Sequence, residues 1–299
     1  MSARLLLMGW DAADWSVLHP LIDSGEMPVL GRLLEQGVSG ELLSTHPPVT
    51  VMQWTSTVTG KRAWQHGVCH PLEMAEDGSR AVPTSARGRR SLAVWQMLAR
   101  EGRRCLVAGW PATHGEHTPN VCLVSDRFAE PTALPGVRPW PPAIAGTYWP
   151  EEIRPHLDPL RMSPDNVQAD VISQLVPDWK RVDQRRDRRL GQLRLFLASD
   201  FSHQAAMVRL MLESEWDLAV VRFPALGAIS QVFAPYLAPR AADVDEEEFE
   251  LYRGVIAGTC RILDRLLRDL IRAAGTHAGV MVVSPHGIRR KGNAPHPGG

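Results

Sequence analysis

The chain has 299 residues, with 33 Lys and Arg balanced by 33 Asp and Glu, for a formal net charge of zero. That balance removes any global electrostatic argument for nucleic acid or a charged membrane, and no apolar run approaches the ~18 residues of a membrane span. Cys69, Cys105, Cys122 and Cys260 lack paired metal-ligand spacing, and the chain enters an apolar run too early for a signal peptide, so a cytoplasmic protein is expected.

A first strand is expected at about 4–10, where Leu5-Leu6-Leu7-Met8 runs into Gly9-Trp10-Asp11. A helical stretch from Trp15 to Ile22 follows, with Pro20 interrupting or ending it. A second helix, Leu30 to Gln36, stops at Gly37, and a short strand is expected over Gly40 to Leu43. Pro47-Pro48 then breaks the chain, and Thr50 opens another helix. Ser91 to Arg100 reads as an amphipathic helix ending at Gly102, with a strand over Cys105 to Ala108. Residues 129–165 are rich in Pro and Trp and read as loop and cap material, not sheet. Arg181 to Leu212 is a long helical stretch with a break expected near Ser199-Asp200. Phe249 to Ala274 is a second, whose stripe of Leu263, Leu266, Leu267, Leu270 and Ile271 reads as core packing. Strands therefore alternate with helices. The expected fold is α/β, a mainly parallel central sheet with helices on both faces and a loop-rich cap at about 129–200, all within a single unit spanning 1–299.

Two stretches carry the chemistry. In the first, a buried strand delivers Asp11 to its C-terminal end, where open α/β sheets place their ligands. In the second, the Thr50 hydroxyl stands at the positive end of a helix dipole, which favours an alkoxide or a bound anion. A carboxylate there can hold a metal ion, and a metal ion can activate the hydroxyl. Each also has a plain structural reading, as a turn former and a helix N-cap.

Gly9-Trp10-Asp11, then Pro47 to Gly60, then His66-Gly67 together resemble the alkaline phosphatase superfamily. Within it, the type I phosphodiesterase/nucleotide pyrophosphatase group and its bacterial relatives are the branch they look like. Val107-Ala108-Gly109-Trp110-Pro111, Leu123-Val124-Ser125-Asp126, Val176-Pro177-Asp178, Glu215 to Val221 and Val280 to Gly287 extend the likeness over most of the chain. The resemblance implies that Asp11 is a metal ligand, that Thr50 is both the nucleophile and a metal ligand, and that His286 is a metal ligand. His66 is expected to be structural.

The departures are as telling. The family's Ser-Asp-His-Gly loop reads Ser284-Pro285-His286-Gly287 here, and proline has no donor atom. The family's next Asp and His correspond to Gly227 and Gln231, a glycine and a poor zinc ligand. His296 is the remaining candidate for the last ligand. One site thus keeps Asp11, Thr50 and His286, and the other at most His296. Catalytic zinc ordinarily has three protein ligands and a water, and two-metal catalysis needs both ions. The resemblance with these losses implies at most one weakly held divalent ion, zinc by family habit, and lost or strongly reduced hydrolysis. The readings kept are a phosphoester hydrolase with an altered site, a non-catalytic relative that binds a phosphorylated small molecule or a partner, and a truncated form of an active enzyme, since the ending at Pro297-Gly298-Gly299 is abrupt. A dinucleotide-binding enzyme is remote, because Gly9-Trp10-Asp11-Ala12-Ala13 lacks the glycine-rich turn.

Overall fold

A computed structural model describes residues 4–129 and 142–288. Its strands are β1 (Arg4–Trp10), β2 (Leu72–Met74), β3 (Ala81–Pro83), β4 (Cys105–Ala108), β5 (Val121–Val124), β6 (Tyr148–Trp149), β7 (Leu218–Phe223) and β8 (Ala278–Val283). Its α-helices are α1 (Trp15–Asp23), α2 (Pro28–Gln36), α3 (Thr50–Thr59), α4 (Ala63–His66), α5 (Val94–Arg100), α6 (Arg154–Leu157), α7 (Ala169–Leu175), α8 (Arg189–Glu213), α9 (Ala225–Phe233), α10 (Glu246–Tyr252) and α11 (Val255–Ala274).

The main sheet runs β6-β5-β4-β7-β1-β8. Every neighbouring pair is parallel except β5 with β6. The α/β expectation of a mainly parallel sheet with helices on both faces therefore holds. A central strand of such a sheet is covered on both faces, which explains why residues 5–10 of β1 and 218–221 of β7 read as continuous apolar runs instead of alternating ones. In β1, Leu6, Met8 and Trp10 join the core shared with α8, α9 and α11, whereas Leu7 joins a second core with Trp54, Trp95 and Trp110. Parallel pairing also gathers the C-terminal ends of β1, β4, β7 and β8 on one edge.

Several local expectations are corrected. Pro20 does not end α1, which continues to Asp23. Ser16, whose carbonyl the proline leaves without its helical donor, is exposed, so water can serve it. Gly40 to Leu43 forms no strand. That segment is exposed and joins neither sheet. Tyr148–Trp149, expected as cap, is instead the antiparallel edge strand β6. The expected helix from Arg181 begins at Arg189 and passes unbroken through Ser199-Asp200. There the buried Asp200 carboxylate turns outward from α8 and accepts from the Ala225 amide, 3.1 Å away, at the start of α9. The stretch from Phe249 divides at Arg253-Gly254 into α10 and α11.

Candidate functional site

Asp11 follows β1 directly and is held by its own amide, which donates to the Phe223 carbonyl at 3.1 Å. Its carboxylate is almost fully buried and fully engaged. Arg222, near the end of β7 and opposite Gly9 in register, donates through Nε to Oδ1 at 2.8 Å and through Nη2 to Oδ2. The Trp54 indole donates to Oδ1 at 2.6 Å. This is the two-pronged guanidinium–carboxylate geometry, with an indole closing the third side.

The sequence makes room for that arrangement at two glycines. A Cβ on Gly9 would stand 2.7 Å from the Trp54 ring, so only glycine lets the ring cross β1 towards Asp11. A Cβ on Gly227 would stand 2.7 Å from the Asp11 Cβ, so the start of α9 presses its backbone on the aspartate. Trp54 is fixed in turn by an edge-to-face contact with Trp110, centroids 4.9 Å apart, and by the Trp110 indole donating to its carbonyl. The Arg222 guanidinium carbon lies 5.7 Å from the Trp54 ring centroid.

Thr50 is the first residue of α3, whose preceding residue supplies no side-chain cap. It lies one turn before Trp54, so the two share a helix face, and α3 ties the hydroxyl to the Asp11 corner. His286 follows β8, the parallel neighbour of β1. Its Nε2 is buried without a partner, and its Nδ1 is 3.3 Å from the Gly287 carbonyl. The His286 loop is stitched to the Asp11 loop: the Ser284 hydroxyl accepts from the Ala13 amide and donates to the His286 carbonyl, while Asp14 accepts from the Ile288 amide. Asp11, Thr50 and His286 thus lie at the same edge of the sheet. His296 lies outside the described residues, as does Trp140.

A divalent ion does not fit the donors at Asp11. Both carboxylate oxygens already accept from Arg222, and Gly227 closes the approach from α9. Gln231 is exposed on α9, and Pro285 is buried with its carbonyl accepting from Ser44. Among the described residues no group of three or more His, Cys, Asp or Glu side chains is placed to hold a metal ion.

Sequence reasoning passed over three residues around this corner: Arg222, Asp200 and His203. The missed signal was an arginine near the end of an otherwise apolar strand, Leu218 to Phe223. Asp200 and His203, three apart on α8, are both buried. Burial, with the Asp11 charge adding to it, pushes the Asp200 carboxyl well above the usual carboxylate range, against the Ala225 amide and the Arg222 charge. Burial, with the Arg222 charge adding to it, lowers His203 to about 4, against the backbone of Ser199 and Ser125. Burial also raises Asp126, which accepts from the Ala112 amide and so ties two loops together. His66 is a fully buried structural residue, as expected: Ser56 meets its Nε2, and its Nδ1 accepts from the Val68 amide.

A raised carboxyl pKa means that the folded state holds a proton the unfolded chain has released. The stability tied to Asp200 is full below its ordinary value near 3.8 and declines as pH rises towards the folded value. Asp200→Asn keeps an oxygen for the Ala225 amide and carries no charge to bury. Urea midpoints should therefore fall less between pH 5 and pH 8 in Asp200→Asn than in the wild type; parallel profiles would show that Asp200 is ionised in the folded protein.

The family model for type I phosphodiesterase / nucleotide pyrophosphatase matches residues 5–291. The chain belongs to this family. It is accordingly a member of the alkaline phosphatase superfamily, whose enzymes are typically dependent on divalent metals. Similar solved structures include phosphonoacetate hydrolase from Sinorhizobium meliloti 1021 in complex with phosphonoformate, with a TM-score of 0.51 at 15% identity, covering 96% of this chain and 56% of that one. A mutant of alkaline phosphatase PafA has a TM-score of 0.52 at 14% identity, covering 96% of this chain and 64% of that one. At such identities the likeness speaks for the fold, and the chain spans less than two thirds of the length of either structure. No curated protein matches it in sequence.

Proposed function

We propose that this phosphodiesterase-family chain binds a phosphorylated small molecule at the edge of the sheet beside Thr50 and does not run two-metal hydrolysis. The observation that carries this reading is Gly227. It stands where the resemblance calls for a carboxylate ligand, it has no side chain, and its backbone lies too close to Asp11 to admit one. A transferring phosphoryl group needs positive charge on both the attacking and the leaving oxygen. Removing a single strong stabiliser of that kind costs ~10²–10³ in rate. In this reading Thr50 keeps its place at a helix N-terminus and performs no phosphoryl transfer. The free thiols of Cys69, Cys105, Cys122 and Cys260 accord with the cytoplasmic location we assign to it. Among the described residues no helix is long and apolar enough to cross a membrane.

The test is turnover of p-nitrophenyl phosphate and bis(p-nitrophenyl) phosphate, with and without added zinc. Rates should stay at background, and Thr50→Ala should leave them unchanged. Robust turnover that Thr50→Ala abolishes would overturn the reading and make the chain a working hydrolase.

A further inference from the structure

We infer that Arg222 is the resident cation of the Asp11 site: its guanidinium stands in for the metal ion, so the charge of Asp11 is balanced within the chain and no divalent ion is taken up there. The inference deepens the proposed function and rests on the family reading of Asp11 as a ligand position.

Three features make the guanidinium a fixture of the site and not a passing neighbour. Its anchoring is rigid, because Arg222 is a strand residue in the middle of the sheet, paired through β7 with Gly9 of β1. Its contact is two-pronged, with the Arg222 and Asp11 side chains only 12% and 6% exposed. Its surroundings are closed, by the Trp54 indole on one side and the Gly227 backbone on another. Arginine also suits the position chemically. It stays charged at every working pH, its planar fork matches a carboxylate, and it is more weakly hydrated than an ammonium group, so it enters a half-dry site at lower cost. The charge reaches further than Asp11, since Asp126, Asp200 and His203 all feel it. A divalent ion arriving at Asp11 has to separate a buried ion pair and leave the guanidinium without its anion.

A site closed by Arg222 and a site that takes up metal at Asp11 differ in what metal does to the protein. The experiment is therefore thermal melting in EDTA, in zinc chloride and in manganese chloride, on the wild type, Arg222→Ala, Arg222→Lys, Asp11→Asn and the double variant Asp11→Asn/Arg222→Leu. The wild-type melting temperature should be the same in all three solutions. Arg222→Ala strands a buried carboxylate, and its melting temperature should fall by roughly 5–15 °C. The double variant removes both charges and should recover more than half of that loss. Arg222→Lys keeps the charge without the fork and should fall between wild type and Arg222→Ala, still indifferent to metal; it decides the matter if Arg222→Ala does not fold. Metal that raises the wild-type melting temperature, with the rise abolished in Asp11→Asn, overturns the inference. So does a double variant that melts no higher than Arg222→Ala, or an Arg222→Lys that melts higher in metal than in EDTA. The two proposals fail separately: turnover by the metal-free wild type would sink the non-hydrolytic reading and leave Arg222 in place, whereas an Asp11-dependent metal effect without turnover would sink only the inference drawn here.

Discussion

Gly227→Asp, which supplies the carboxylate that the resemblance calls for, should destabilise the protein by roughly 3–5 kcal/mol and should not create a metal site. The Cβ alone would stand 2.7 Å from the Asp11 Cβ, a backbone-proximal atom that cannot swing aside. Overpacking of this kind in a filled core costs about 1–3 kcal/mol. The new carboxylate would add a second negative charge beside one that Arg222 already neutralises, and one guanidinium cannot serve two buried carboxylates in the same fork. Restoring Pro285→Asp, Gly227→Asp and Gln231→His together should therefore fail to rebuild the site, contrary to what the ligand count alone suggests. Chemical denaturation of Gly227→Ala beside Gly227→Asp separates the two costs: the alanine reports the steric part, and the difference reports the charge. An aspartate variant as stable as the wild type would mean that α9 can move away from Asp11.

Trp54→Ala should cost a further roughly 3–5 kcal/mol, by leaving a cavity over β1. The ring fills the space above Gly9, makes the edge-to-face contact with Trp110, and sits beside the Arg222 guanidinium. It also gives Asp11 its third donor. Trp54→Phe keeps most of the packing and loses the donor, so it should cost about 1–3 kcal/mol, the range for a lost hydrogen bond to a charged group. If phenylalanine and alanine prove equally costly in urea unfolding, the hydrogen bond to Asp11 matters more than the packing.

How much of this was legible beforehand depends on the range over which each feature is decided. The apolar runs of β1, β4 and β7 declare buried strands locally, that of β8 declares a strand that proves to be a part-exposed edge, and their alternation with helices declares the fold. Pro285 and Gly227 read as missing donors only against the family pattern that their neighbours resemble. What the sequence hides is pairing across long separations. Arg222 is 211 positions from Asp11 in the chain, and no periodicity links them. The break expected at Ser199-Asp200 failed for the same reason: a polar pair inside a helix suggests an interruption, yet the Asp200 acceptor is used by an amide of α9. Gly40 to Leu43 erred in the opposite direction, since an apolar, strand-like segment needs a partner strand, and pairing is a property of the assembled sheet. Tyr148–Trp149 is too short for any periodicity to speak, and only its neighbour β5 makes it a strand.

The strand order also bears on how the protein is made. Among the described strands β1 is made before the others, yet its two neighbours in the sheet, β7 and β8, are made after the rest. Leu5 pairs with Leu218 and Gly279, so β1 waits for more than two hundred further residues before either side of it can be covered. At ribosomal rates of 5–20 residues per second that interval is roughly 10–40 s, during which a strongly apolar strand has no ladder to join. High contact order of this kind slows folding and exposes the nascent chain to association. A chain stalled before β7 should consequently be a substrate for holding chaperones in a way that the finished protein is not.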